Sequence, residues 1–383
     1  MKAKRTDRVA GLVRESHARG GGGGPEALEI ASGRRRGRGA ASNRSGRFEP
    51  YERIDTDDSW GALETLEAFR TQVTSERARK IITSNDSPDI GFDRSINPYR
   101  GCEHGCVYCF ARPTHAYMGL SPGLDFESKL FVKDGAAALL KRELSAPSYQ
   151  PKTIAIGTNT DPYQPIEKTY RVMRALLEVL SAANHPVTIV TKSALVLRDL
   201  DILAPMAAKG LVKVALSVTT LDPKTARAME PRAPTPERRL ETIEALAQAG
   251  VPVGVMVAPI VPGVTDHEIE RILTRGYARG ARSASYIMLR LPLETRELFS
   301  EWLVEHFPNK ARRALSLVRD TRDGKLYDAT FGARMTGSGP YAWMIARRFE
   351  MACEKIGFLK ARMRLRADLF TPPEPAARQL ALF

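Results

Sequence analysis

A strand-then-helix rhythm sets in near Ile154 and leaves few folds open. Residues 153–156, 187–190, 212–217, 253–257 and 285–289 are short apolar runs, and helical patterns lie between them. In the first of these helices Val172, Leu176, Val179 and Leu180 recur at helical spacing and predict one buried face. A later one has Thr235 as N-cap, Pro236 at its first position and Gly250 just past its end. Short apolar strands alternating with amphipathic helices predict a parallel sheet with helical crossovers. A further strand around 95–97 brings the count to six, too few for a closed eight-stranded barrel. An open partial barrel and a doubly wound sheet both satisfy the pattern, and in either the carboxyl ends of the strands hold the chemistry.

The loop after the first strand carries the densest chemistry. Residues 101–112 read Gly-Cys-Glu-His-Gly-Cys-Val-Tyr-Cys-Phe-Ala-Arg, which spaces Cys102, Cys106 and Cys109 as C-x3-C-x2-C. Four cysteines in 383 residues are no disulfide framework, so a reducing compartment, the cytoplasm, is expected. Clustered thiolates suit a soft metal centre. A [4Fe–4S] cluster normally takes four thiolates; three leave one iron free for a small molecule. The competing reading is a zinc site completed by His104 or His115, in a non-catalytic nucleic-acid-binding protein.

C-x3-C-x-aromatic-C, with Tyr108 as the aromatic, resembles the signature of the radical S-adenosylmethionine (SAM) superfamily. Asn97-Pro-Tyr-Arg-Gly-Cys102, Thr160-Asp-Pro-Tyr-Gln-Pro165, Thr191-Lys-Ser193 and Pro259-Ile-Val-Pro-Gly263 resemble the members related to spore photoproduct lyase. The resemblance implies an α/β fold, a partial (β/α)6 barrel. It implies a [4Fe–4S] cluster on Cys102, Cys106 and Cys109, and SAM cleaved reductively to a 5′-deoxyadenosyl radical that takes hydrogen from a substrate. It also implies an electron donor. Tyr108 would lie against the adenine, Thr160 and Asp161 near the methionyl amino group, Lys192 at the carboxylate and Ser217 at the ribose. One position departs from the family: Thr158 stands where spore photoproduct lyases carry a hydrogen-donating cysteine. The fourth cysteine, Cys353, falls on the apolar face of a C-terminal helix and reads as a structural thiol.

The flanks differ from this core. Residues 1–46 are rich in Arg and Gly and predict a disordered basic tail; 47–92 are a lead-in, 93–306 the barrel, 307–370 a helical extension and 371–383 a Pro-rich tail. Of the net charge of +14, half lies in the first 50 residues, where 12 Lys/Arg face 5 Asp/Glu. That excess favours nucleic acid as a partner. Around the fourth strand's exit, Arg232 and Arg238 would bind a substrate phosphate or pair with Glu230 and Glu237. The last residues, Gln379-Leu-Ala-Leu-Phe383, resemble the short motif by which bacterial repair and replication proteins bind the sliding clamp. No run of 18 apolar residues and no signal-peptide pattern occurs, so neither a membrane span nor secretion is expected.

Overall fold

The computed structural model describes residues 37–49, 70–359 and 363–374. Ten strands follow in chain order: β1 (Gln72–Arg77), β2 (Thr83–Ser84), β3 (Arg94–Ile96), β4 (Tyr99–Arg100), β5 (Lys129–Asp134), β6 (Ile154–Ile156), β7 (Val187–Thr191), β8 (Val212–Ser217), β9 (Val253–Ile260) and β10 (Ser283–Met288). Strands β3, β6, β7, β8, β9 and β10 pair parallel, each with the next in that order, and β2 adds antiparallel to β3. The sheet is open, with β10 and β2 as its edges. A doubly wound sheet reverses direction partway through its strand order; this one never does, so the chain is singly wound.

Local chemistry accounts for the elements. Ile154, Val187, Ile189, Val214 and Val255 are buried between the layers, as strands covered by crossover helices require. Helix Val172–Ala182 buries Met173, Leu176, Leu177 and Leu180, so the inward face is rotated slightly from the predicted one and Val172 and Val179 are half-buried. Thr235 caps its helix by accepting the Arg238 backbone N–H at 3.3 Å. Beyond the sheet, helices Ala311–Asp320 and Gly339–Ile356 are joined by the Gly-rich segment 321–338. Cys353 is half-buried against the main core.

Two features depart from the sequence reading. A second sheet, β1–β5–β4, stands beside the entry to the cysteine loop. Only Val73 of β1 is apolar, so no hydrophobic pattern announces that strand. Part of the expected disordered tail is also packed. Gly39 and Ala40 donate their backbone N–H groups to the buried Glu127 carboxylate at 2.9 and 2.8 Å, and Arg38 donates to the Glu127 carbonyl at 2.6 Å. A Cβ on Gly39 would stand 1.8 Å from the Gly105 carbonyl oxygen, so only glycine passes there. Backbone donors meeting a buried carboxylate hold this stretch, and composition does not register that. The rest of the tail (1–36), residues 50–69 of the lead-in and the Gln379–Phe383 motif lie outside the described residues. Among the described residues no helix is long and apolar enough to cross a membrane.

Candidate active site

The cysteine loop leaves β4 and turns back across the carboxyl ends of the parallel strands. Gly101 opens it at φ +73°, where a Cβ would meet Leu130 and the Phe126 carbonyl at 2.6 and 2.8 Å. The Cys102 N–H then donates to that Phe126 carbonyl at 3.0 Å. Arg112 braces the loop from within. Its guanidinium is fully buried and donates to the carbonyls of Cys106, Pro122, Gly123 and Gly105 at 2.9–3.2 Å and to Glu127 at 2.5 Å. The same carboxylate receives Gly39 and Ala40, so residues 37–40 and the cysteine loop share one anchor.

The motifs singled out in the sequence interlock at this end of the sheet. Asn97 Oδ1 accepts the Asn159 N–H at 2.9 Å, and its Nδ2 donates to Thr158 Oγ1 at 3.1 Å. Gln164 Oε1 accepts the Glu103 N–H at 2.8 Å while Nε2 donates to the Gly101 carbonyl at 3.1 Å. Thr160 turns its hydroxyl to the Tyr99 carbonyl at 3.0 Å. Asp161 accepts from the Thr191 hydroxyl at 2.6 Å and the Lys192 N–H at 2.8 Å, and stands 3.4 Å from His104 Nδ1. Burial works against the Asp161 charge, but His104, Thr191 and the Lys192 N–H outweigh it and hold the carboxyl down at about 2. Thr160 and Asp161 therefore tie β4, β6 and β7 to the cysteine loop.

A buried charged group lies on the other side of the loop. Glu230 accepts from Arg239, from the Tyr108 hydroxyl and from Thr219 Oγ1, the last at 2.9 Å. Arg239 also donates to the Ser217 carbonyl at 3.1 Å, which fixes the end of β8. Lys192, one residue past β7, places its ammonium 5.8 Å from the Tyr108 ring centroid. Burial opposes its charge, yet Cys106 and Glu230 prevail and its pKa is raised. Glu230 is correspondingly held down at about 2, against burial, chiefly by Arg239 and Lys192. The expected pairings around 230–239 are corrected here. Glu230 pairs with Arg239, Arg232 with Glu103 at 3.2 Å, Arg238 with Glu241 at 2.8 Å, and Glu237 with Arg275 and Arg279. Arg239 is the closer match for Glu230 because the helix from Pro236 turns it inward.

Cys102 and Cys106 are buried, Cys109 half-buried, and none is in a disulfide. Burial pushes both buried thiols up, Cys106 to about 12, and the charges of neighbouring thiols add to it. The three thiols share one short loop, and the Asp161 backbone N–H lowers the Cys102 pKa against that burial. Such a donor set fits a cluster that binds three thiolates and would draw their protons off on loading. Of the two histidines weighed as a fourth zinc ligand, His104 stands against Asp161, and His115 Nε2 bonds the Lys129 carbonyl at 2.9 Å with its ring packed on Phe126. Beside the loop, His104, Tyr163, Lys168, Ser193 and Arg232 line a cavity of about 220 Å³.

Arg112 and Glu127 escaped the sequence reading as site residues, and Glu230 entered it only as a pairing partner for nearby arginines. Asn97 and Gln164 sat inside the quoted motifs, polar residues beside prolines, and that was their only signal. Comparison with known proteins bears on the whole arrangement. A family model described as the radical SAM superfamily matches residues 96–275. The chain is 38% identical over 291 residues to an uncharacterized protein of Mycobacterium tuberculosis, covering 75% of this chain and 80% of that one. It is 25% identical over 239 residues to an uncharacterized protein of Methanocaldococcus jannaschii, covering 62% and 85%. Its fold is similar to that of spore photoproduct lyase complexed with dinucleoside spore photoproduct (TM-score 0.53, 16% identity, 74% of this chain and 79% of that one). A variant of that lyase with AdoMet and the dinucleoside bound is equally similar (TM-score 0.53, 16% identity, the same coverage).

Proposed function

This chain belongs to the radical SAM superfamily, and from that premise we propose that it is an enzyme that takes a hydrogen atom from a nucleic-acid lesion or modified base. Its open parallel sheet is read as the partial (β/α)6 barrel of that class. Cys102, Cys106 and Cys109 would hold a [4Fe–4S] cluster, which when bound supplies the electron that cleaves SAM to a 5′-deoxyadenosyl radical. The observation that carries the reading is the loop itself: three soft donors at the strand ends, braced by Arg112 and by Gln164.

The chain's own residues bind and orient. Lys192, kept protonated beside Glu230, would receive the SAM carboxylate. Asp161 is a positioning residue that fixes His104 and the Thr191–Lys192 strand end. Thr160 holds β4 to the loop beside the methionyl group's expected place, Ser217 ends the strand assigned to the ribose, and Tyr108 is fixed by Glu230 for the adenine. Thr158 hydrogen-bonds Asn97 and has an O–H bond too strong for the donor's role, so repair of spore photoproduct by the lyase's own donor is not proposed. The basic flank and the fold likeness to a lyase bound to a dinucleoside support nucleic acid. A clamp contact through Gln379–Phe383 is the accompanying proposal, and deletion of those five residues should abolish binding to a purified bacterial clamp.

The test is anaerobic incubation with SAM and dithionite. Release of 5′-deoxyadenosine by the iron-loaded wild-type protein is expected; intact SAM after loading would contradict the reading.

A further inference from the structure

Resting on that reading, we propose that Arg290, stacked on Phe110 and backed by Arg322, binds a backbone phosphate of a nucleic-acid substrate at the rim of the site. Arg290 lies just past β10, the last strand of the parallel sheet. Its guanidinium carbon sits 4.6 Å from the centroid of the Phe110 ring, and Phe110 follows the cluster ligand Cys109 directly. That ring is 37% exposed, so the stacked pair faces outward beside the cysteine loop. Thr295 donates to the Cys109 carbonyl at 3.4 Å, tying the loop to the chain that leaves Arg290.

What sets the pair apart is that neither guanidinium is bonded to a carboxylate. Among the described residues nearly every other arginine near the site meets a carboxylate: Arg112 with Glu127, Arg239 with Glu230, Arg232 with Glu103, Arg334 with Asp89. Arg290 and Arg322 pair with none. Arg290 Nη1 reaches only the Met335 sulfur at 3.2 Å, and its buried Nε has no partner. Arg322 is fully buried and donates to the carbonyls of Leu289 and Ala333, and its Nε is likewise unpartnered. Arg322 is bonded to the carbonyl next to Arg290 in the chain; burial first and Arg290 second depress it to about 10, with Asp328 opposing. A fixed, partly desolvated guanidinium with no carboxylate bonded to it, as Arg290 is, is what an incoming anion would neutralise.

The surroundings favour a polynucleotide over a small anion. Residues 307–349 contain nine Lys/Arg and three Asp/Glu. Phe331 and Trp343 are exposed on the same extension. Cations set on aromatic faces bind the backbone of a single strand and stack its bases.

The experiment is fluorescence anisotropy of a labelled single-stranded oligonucleotide with the full chain, wild type, R290Q and R290K, over a salt series. R290Q should weaken binding roughly tenfold and lower the slope of log K against log salt by about one. R290K, which keeps the charge, should keep the slope. Identical slopes for wild type and R290Q would overturn the phosphate site, as would preference for an acidic peptide over the oligonucleotide, or full competition by inorganic phosphate at matched ionic strength. Iron content is read on the same samples. Iron-free wild type after reconstitution would overturn the radical reading; iron-loaded protein with unchanged slopes overturns the phosphate site alone.

Discussion

Replacing Arg112 by methionine should cost about 3–5 kcal/mol of folding stability and strip the chain of its capacity to retain iron. Arg112 and Glu127 form a buried pair, each with no exposed side-chain surface. Methionine fills much of the same volume but donates nothing. Glu127 would keep the Gly39 and Ala40 N–H groups on its carboxylate, with the part-buried Arg38 guanidinium as its remaining nearby cation. Four carbonyls of the loop and its return path, those of Gly105, Cys106, Pro122 and Gly123, would lose a donor at once. Unmet buried acceptors cost about 1–3 kcal/mol each before relaxation, so the loop should open instead of persisting with them. Denaturant titration of the metal-free protein measures the first effect and iron retention on gel filtration the second. A loss under about 1 kcal/mol would mean that the loop is held by the backbone turns around the cysteines and not by Arg112.

Glu230→Gln should cause a loss of similar size, about 3–5 kcal/mol, by leaving Arg239 and Lys192 as buried cations with no anion between them. Glutamine can still accept from Tyr108 and Thr219 through its one oxygen, but its amide nitrogen would face the Arg239 guanidinium, so the charge and that hydrogen bond are lost together. Adding R239M to E230Q should recover part of the loss, because the uncompensated cation goes with it. The pH dependence follows from the same group. Glu230 and Asp161 are both held down at about 2, below their unfolded values. Their contribution is therefore full above the unfolded carboxyl range and declines as pH falls toward 2. The wild-type protein should lose denaturant resistance between about pH 5 and about pH 3, and E230Q should lose less over that interval. Parallel curves for the two proteins would show that Glu230 carries no special charge burden.

The parts of this structure legible in sequence are those set by neighbours in the chain. The cysteines turn within eight residues, Thr235 caps a helix that begins at Pro236, and β7, β8 and β9 follow their apolar runs to within a few residues. Lys192 and Ser217 stand at strand ends, as read. The sequence was silent where partners are remote. Glu127 joins Gly39, 88 positions away, to Arg112, and Tyr108 meets Glu230 across 122 positions. A lone Arg after a cysteine motif or a Glu before Pro-Arg has no local mark of the pairing it enters. The same holds for β1, whose parallel partner β5 is distant in the chain and whose side chains are mostly polar. The packed stretch at 37–46 departs from expectation for the converse reason: Gly and Arg composition suggests disorder, and the backbone donors that fix it are invisible to composition.

Iron and acid-labile sulfide, counted per chain on anaerobically reconstituted wild type and Cys102→Ala, test the central claim most directly. The account predicts brown protein with about four irons and four sulfides per wild-type chain, as three thiolates around a [4Fe–4S] cluster require, and a colourless, iron-free Cys102→Ala. Wild type that takes up one zinc and no sulfide, or a Cys102→Ala protein with a full complement of iron, would contradict it.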